Sequence, residues 1–453
     1  MNGPWSGKRV TVVGAGRSGV AATELLIHLG ARVALTDLRP KSELTDVCEL
    51  ERCGVELALG SHPGALWRDV DAVVASPGIH PEAPPLRAAR AEGITPVSEI
   101  ELASAYAEAP AVAVSGSNGK STVTSMVGAI LAESDLAAVV CGNIGVPFSR
   151  VVRQVLQGER RVERYVLELS SFQTETIVDF RPRWAGLLNI SADHLDRHGD
   201  FESYARAKLR LVANCTSNDW LVYGADDPWL GRHLPSIPRP VPFGDAATTS
   251  SAGAWVADGR IHWRDPGDAV HSIVDTADLS VVGSHNYLNA AAAVALACLA
   301  GASPACAGAA LRRFEGLEHR MEPCGVVRGV RCINDSKATN VGATLAALKG
   351  LDSPVWLILG GRDKNSDFKR LRPALGNVRG VLIIGEATER IAQALTGSVP
   401  MIECTDIEGA VDAGLEQASA EETLLLAPAC TSFDQHDNFE HRGRHFKALI
   451  AAR

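Results

Sequence analysis

Short apolar runs recur along the chain, and each stops abruptly at glycine or at a cluster of polar side chains. Lys8 to Val13 meets Gly14-Ala15-Gly16-Arg17-Ser18-Gly19 and a helical pattern through Leu29, and a second run, Arg32 to Thr36, ends on Asp37. Asp71 to Ala75 stops at Ser76-Pro77-Gly78, and Ala111 to Val114 at Ser115-Gly116-Ser117-Asn118-Gly119-Lys120-Ser121-Thr122. Tyr165 to Leu167 ends at Glu168, and Leu187 to Ile190 at an Asp/His cluster. Pro354 to Leu359, Gly380 to Ile384 and Thr423 to Ala427 repeat the arrangement. Such runs, separated by amphipathic stretches, predict buried parallel strands joined by helices, with ligands at the carboxyl edges of the sheets. The expected fold class is α/β in three domains. They are 1–98, Rossmann-like; 99–316, a mainly parallel sheet around a P-loop-type turn; and 317–453, again Rossmann-like.

The stretch from Ala111 to Thr122 carries the most specific chemistry. Gly116 and Gly119 let backbone N–H groups approach an anion, and the helix that follows offers unpaired N–H groups and the positive end of its dipole. Lys120 suits terminal phosphates and Ser121 a Mg²⁺ ion, although Val114 stands where the first glycine of the usual loop pattern should be. Glu168, beside Ser170 and Ser171, is placed for a metal or for capping the next helix. In Asp193-His194-Leu195-Asp196 an imidazole and two carboxylates can supply a metal ligand and its supporting partner. Asn143, in Gly142-Asn143-Ile144-Gly145, can reach a phosphate or a substrate. The Gly14 loop followed by Asp37 fits a dinucleotide fingerprint, but no hydride-transfer arrangement accompanies it. With Ser76, Pro77 and Gly78 the same crevice suits a nucleotide-sugar diphosphate, Asp37 accepting from a ribose or base edge. Asn286 and Asn289, three apart on one helix face, can both point at an adenine edge, or Asn286 can cap its helix.

Composition narrows the class. With 46% hydrophobic and 21% charged residues, the chain has ordinary globular composition. A formal charge of −9 argues against nucleic acid or a membrane surface as partner, so phosphate must be held by local cations. Ten cysteines stand singly and no targeting segment is evident, so a reduced, cytoplasmic setting is expected. The run Ala290 to Ala300 is too short for a bilayer and predicts a tightly packed helix.

Taken together, Gly-Ser-Asn-Gly-Lys-Ser-Thr at 116–122, Gly-Asn-Ile-Gly at 142–145, Glu-Leu-Ser-Ser-Phe-Gln at 168–173, Asp-His-Leu-Asp-Arg at 193–197 and Gly-Ser-His-Asn-Tyr-Leu-Asn-Ala at 283–290 resemble the Mur ligase family of peptidoglycan synthesis. The similarity runs nearly the whole length and is greatest to the branch that joins glutamate, the D form favoured, to UDP-N-acetylmuramoyl-L-alanine. It implies ATP-dependent amide synthesis through an acyl phosphate, releasing ADP and phosphate, with Lys120, Glu168, His194 and Lys208 carrying catalysis. The UDP-linked substrate would lie on Gly14, Arg17, Ser18, Asp37, Ser76, Pro77 and Gly78 in the first domain, and on Asn143, Ser170, Gln173 and His194 in the second. ATP would be held by Gly116, Ser117, Asn118, Gly119, Lys120, Ser121, Thr122, Asn286, Asn289, His319, Arg320, Asp335 and Lys337. Glutamate would be held in the third domain by Thr339, Lys364, Ser432, Phe433 and Phe439. Thr339 and Ser432 read equally as loop-stabilising hydroxyls from the residues alone.

The resemblance also implies two Mg²⁺ ions, Ser121 and Glu168 on one and His194 on the other, with Lys208 carbamylated into a further ligand. Adding CO₂ would turn a cation into a carboxylate-like oxygen donor, whereas the residues alone read Lys208 as a solvated lysine between arginines. A monomer acting on two small-molecule substrates is expected. Two departures stand out: Ser117 where threonine is common, and Asn365 where glycine is common after Lys364. Three rivals stay open: a related muramoyl or folate ligase using another amino acid, an NAD-dependent oxidoreductase resting on the Gly14 loop alone, and a non-catalytic nucleotide-sugar sensor.

Overall fold

In the computed structural model, which describes residues 4–44, 47–234, 239–246, 252–281 and 283–453, each third of the chain builds its own sheet. The first is entirely parallel, with Arg9–Val13 central between Arg32–Asp37 and Ala72–Ala75, and Glu56–Leu59 and Val97–Ser98 at its edges. Strand order reverses between Arg9–Val13 and Ala72–Ala75, which opens a crevice beyond their carboxyl ends. Gly14 and Ser76 stand at its floor. Gly14 takes φ +96°, and a Cβ there or at Gly19 would collide with Ser76, whose Oγ donates to the Gly14 carbonyl at 2.9 Å.

The middle sheet has nine strands in the order Ala138–Gly142, Arg164–Glu168, Ala111–Ser115, Trp184–Leu187, Trp220–Gly224, Pro240–Gly244, Gly253–Ala257, Arg260–Arg264 and Val270–Asp275. It is parallel as far as Gly253–Ala257 and then closes with two antiparallel pairings. That edge follows from the alternation in Arg260–Arg264, where Ile261 and Trp263 are buried and their neighbours face outward. The alanine-rich segment forms the helix Ser284–Leu299. Ala290 to Ala297 are fully buried against the sheet and the helix Lys120–Glu133, because small side chains let backbones approach closely.

The third sheet orders Glu322–Val327, Val330–Asn334, Thr423–Leu426, Val355–Gly360, Val378–Ile384 and Met401–Glu403, with only the first pairing antiparallel. The α/β class with mainly parallel sheets is thus as expected. Among the described residues no helix is long and apolar enough to cross a membrane.

Candidate active site

Strand register assembles the phosphate-loop region. Val114, just before the loop, pairs with Glu168, and Glu168 pairs with Gly142 on its other side. Three carboxyl ends therefore coincide, and Asn143 falls across from Glu168. Its Nδ2 donates to Glu168 Oε1 at 2.6 Å and its N–H to the Glu168 carbonyl at 2.9 Å. Gly116 and Gly119 take φ +151° and +84°, and Gly119 opens the helix Lys120–Glu133 without a side-chain cap, so the first-turn N–H groups face the cavity. Ser117 lines the cavity, and its Oγ donates to the Ser191 carbonyl at 2.9 Å. The same oxygen accepts from Ser191 N at 2.8 Å and lies 3.0 Å from Tyr204 Oη, tying the loop to the 188–194 segment.

Four cations converge here on two carboxylates. Lys120 Nζ donates to the carbonyls of Gly116 and Ser117 at 2.8 Å, Lys208 Nζ to Gly116 O at 2.9 Å, and Lys337 Nζ to Ser121 Oγ at 2.7 Å. Lys364 Nζ stands 3.6 Å from Asp193 Oδ1, and Asn340 donates to Asp193 Oδ2 at 2.9 Å. Burial lowers the pKa of Lys120 and, helped by Lys120, that of Lys208. Burial would raise the Glu168 carboxyl, but Lys337, Lys120 and the Asn143 bond hold it below its usual range. Burial, with the nearby lysines, likewise lowers His194 and outweighs the attraction of Asp193, so its imidazole is neutral.

The donor set suits a hard divalent cation. Glu168 Oε2 is buried without a hydrogen-bond partner, a costly arrangement unless a cation meets it. The neutral His194 imidazole lines the same cavity.

Most residues expected at the site line one of three cavities. Lys120, Ser121, Glu168, Ser170, His194, Lys208 and Lys337 share a cavity of about 450 Å³ with Thr339, Lys364, Ser432, Phe433 and Phe439 from the third sheet. Asn118, Gly119, Asn289, Arg320 and Asp335 line a neighbouring one of about 300 Å³, whose apolar walls are Leu188, Phe243 and Leu288. Gly14, Arg17, Ser18, Asp37, Ser76, Pro77, Gly78 and Gln173 line the first-sheet crevice, about 420 Å³. Asn143 belongs to both the crevice and the 450 Å³ cavity.

Other expected residues are used differently. Asp37 lines the crevice, but its oxygens already accept from Ala15 N at 2.7 Å and from the Arg39 guanidinium at 2.9 and 3.1 Å. Burial opposes ionisation, yet the Arg39 and Ala15 bonds bring its pKa down to about 2. Arg39 lines the crevice beside Asp37. Thr122 and Asn286 line a separate cavity of about 650 Å³, and Asn286 Oδ1 lies 3.4 Å from its helix neighbour Asn289. The helix starts at Ser284 with Gly283 as its cap, so Asn286 is inside the first turn. His319 lines none of these cavities; its φ of +63° turns it inward against Gly443 and Asn334. Ser170 and Gln173 cap each other across the short helix Ser171–Thr174.

Asn340, Tyr204 and Arg39 were not singled out from the sequence, and Asp193 was expected beside a metal and not as the partner of Lys364 and Asn340. Asp193 sat in the Asp/His cluster and Asn340 in the polar string after Val330–Asn334, but only the meeting of two sheets makes them partners.

Comparison with known proteins agrees with this architecture. Residues 8–98, 114–297 and 319–430 match family models described as the Mur ligase MurD-like N-terminal domain, the Mur ligase middle domain, and the Mur ligase glutamate ligase domain. A UDP-N-acetylmuramoylalanine–D-glutamate ligase of Acidobacterium capsulatum is 41% identical, covering 98% of this chain and 96% of that protein. One from Koribacter versatilis is 38% identical, covering 98% and 97%. Among solved structures, a UDP-N-acetylmuramate–alanine ligase from Thermotoga maritima superposes with a TM-score of 0.61 at 18% identity, over 98% of this chain and 99% of that one. A pseudomurein peptide ligase type C from Methanothermus fervidus gives 0.63 at 17% identity, also over 98% and 99%. These two structural likenesses concern the fold.

Proposed function

The chain belongs to the Mur ligase family, and from that membership we propose that it uses ATP to join the amine of D-glutamate to the carboxylate of UDP-N-acetylmuramoyl-L-alanine. The observation that carries this reading is the single cavity where Lys120 and Glu168 of the middle sheet meet Lys364, Thr339 and Ser432 of the third. Its local excess of positive charge, in a chain of net charge −9, suits a triphosphate and a dicarboxylate.

The uncapped N-terminus of the helix Arg17–His28 faces the first crevice and suits a diphosphate. From there the muramoyl arm passes Asn143 and brings its carboxylate before Lys120. A carboxylate oxygen attacks the γ-phosphorus, the bond to the β-phosphate oxygen breaks, and ADP departs with its charge met by Lys120, Lys337 and Arg320. The glutamate amine, held through its carboxylates by Lys364, Thr339 and Ser432, attacks the acyl carbon. The acyl C–O bond then breaks and phosphate leaves, taking up the proton that the amine gives up. Positioning and charge neutralisation supply most of the rate in such a sequence.

Glu168, Ser121, His194 and a carbamylated Lys208 would hold two Mg²⁺ ions, which when bound offset triphosphate charge. The lowered pKa of buried Lys208 supports carbamylation, since the neutral amine is the form that adds CO₂. Nucleotide-linked substrates support a cytoplasmic setting. The test is phosphate release with ATP, UDP-N-acetylmuramoyl-L-alanine and either glutamate enantiomer. Turnover only with the D form is expected; release indifferent to glutamate would overturn the reading.

A further inference from the structure

Behind the loop that carries Ser432 and Phe433, three imidazoles converge. His436 comes from the loop itself, and His441 and His445 from the helix Phe439–Ala451. His436 Nε2 and His445 Nδ1 are 3.1 Å apart. The His436 ring lies 5.3 Å from that of His441, at 87°, and 5.4 Å from that of His445, at 54°. His441 and His445 are four apart on one helix face, a spacing that lets two imidazoles share one ion. Asp437 Oδ2 stands 3.2 Å from His441 Nδ1, and a carboxylate on that nitrogen leaves Nε2 free to ligate.

We propose that His436, His441 and His445 form a binding site for a divalent transition-metal ion, with Zn²⁺ the best match, separate from the reaction cavity. A ligand set of three imidazoles with no protein oxygen favours such an ion over Mg²⁺, which takes most of its ligands as oxygen. Tetrahedral Zn–N bonds of about 2.1 Å set the nitrogens about 3.4 Å apart, so the His436–His445 pair opens by only a few tenths of an ångström. The His441 side chain is 49% exposed and Asp437 88%, so the site requires that ring to turn toward the His436–His445 pair with its carboxylate following, and solvent to serve as fourth ligand. The nearest buried cation, Arg442, is turned away onto Ser336 and the Cys430 carbonyl. Among the described residues, the group whose three metal-binding side chains already stand in mutual reach, Glu318, His319 and Glu322, is neutralised by Lys447, whose Nζ lies 3.0 Å from Glu318 Oε1 and 2.5 Å from Glu322 Oε1.

The His436 N–H donates to the Ser432 carbonyl at 2.8 Å, so an ion joining His436 to the helix pins the Ser432 loop. Zn²⁺ titration of the full chain against a chromophoric chelator is expected to show one micromolar equivalent. Its affinity falls about tenfold or more in His445→Ala and in His441→Gln, the latter at an exposed position that leaves folding intact. Thermal melts without zinc check that both variants fold. Undiminished zinc affinity in both variants, or loss of binding on alkylating the cysteines of the wild-type chain, would overturn the proposal.

Discussion

Lys337 connects the third sheet to the phosphate loop through Ser121, and burial, despite the attraction of Glu168, lowers its pKa to about 8. Below that pH the ammonium is charged and attracts phosphate; above it the charge is lost. The expected result is a kcat/KM for ATP that falls as pH rises through about 8, with Lys337→Arg flattening the limb because guanidinium stays charged. On the proposed function Lys120 acts on the transferring phosphoryl group. Lys120→Met should lower phosphate release by about a thousandfold while the melting temperature stays within a few degrees of wild type. The glycines of the phosphate loop were legible because their positive φ is a property of residue type. Asn365 is legible in the same way: it takes φ +61°, which asparagine tolerates better than other non-glycine residues. The engagement of Asp37 by Arg39 was not legible, since a short acid at a strand end reads alike whether it faces a ribose or its own loop.

The short helix Glu99–Ser104 joins the first and middle sheets, and both its acids are buried. Glu101 accepts from the N–H groups of Val178, Asp179 and Phe180 at 2.8 to 3.1 Å. Glu101→Ala leaves those donors without their acceptor, and chemical denaturation is expected to show a loss of about 2–4 kcal/mol. Glu99 accepts from Ser149 N at 2.6 Å, but its Oε2 has no partner, and burial raises its pKa from 4.5 to about 7. The folded chain thus holds this proton more tightly than the unfolded one. Between pH 4.5 and 7 this group makes stability fall as pH rises, by at most about 1.4 kcal/mol per unit. Glu99→Gln should therefore raise the melting temperature at pH 8 and leave it nearly unchanged at pH 4; equal shifts at both would refute this. At this scale the parallel strands and the alanine helix were legible from periodicity. The antiparallel edge at 253–275 was not drawn out, and register, which sets Glu168 beside Asn143, arises only from pairing between distant segments.

The middle and third sheets meet across the reaction cavity chiefly through polar side chains, Lys337 with Ser121 and both Lys364 and Asn340 with Asp193. Contacts of this kind suit domains that separate and close again around a ligand. Small-angle scattering is expected to give a smaller radius of gyration with ATP than without it, and superimposable curves would count against such closure. Neither these contacts nor the inward turn of His319 was legible, because each depends on how one sheet sits against another.

Asn143 lines two chambers at once, so a substrate seated in the first enters the second past that one amide. When the nucleotide end of a precursor is seated on one side, the distance to Lys120 sets how long an arm can deliver its tip. On the proposed function, a precursor already extended by one amino acid would overshoot that mark, and it is expected to release no phosphate. Sorting among successive cell-wall intermediates would then rest on reach more than on the identity of the terminal residue.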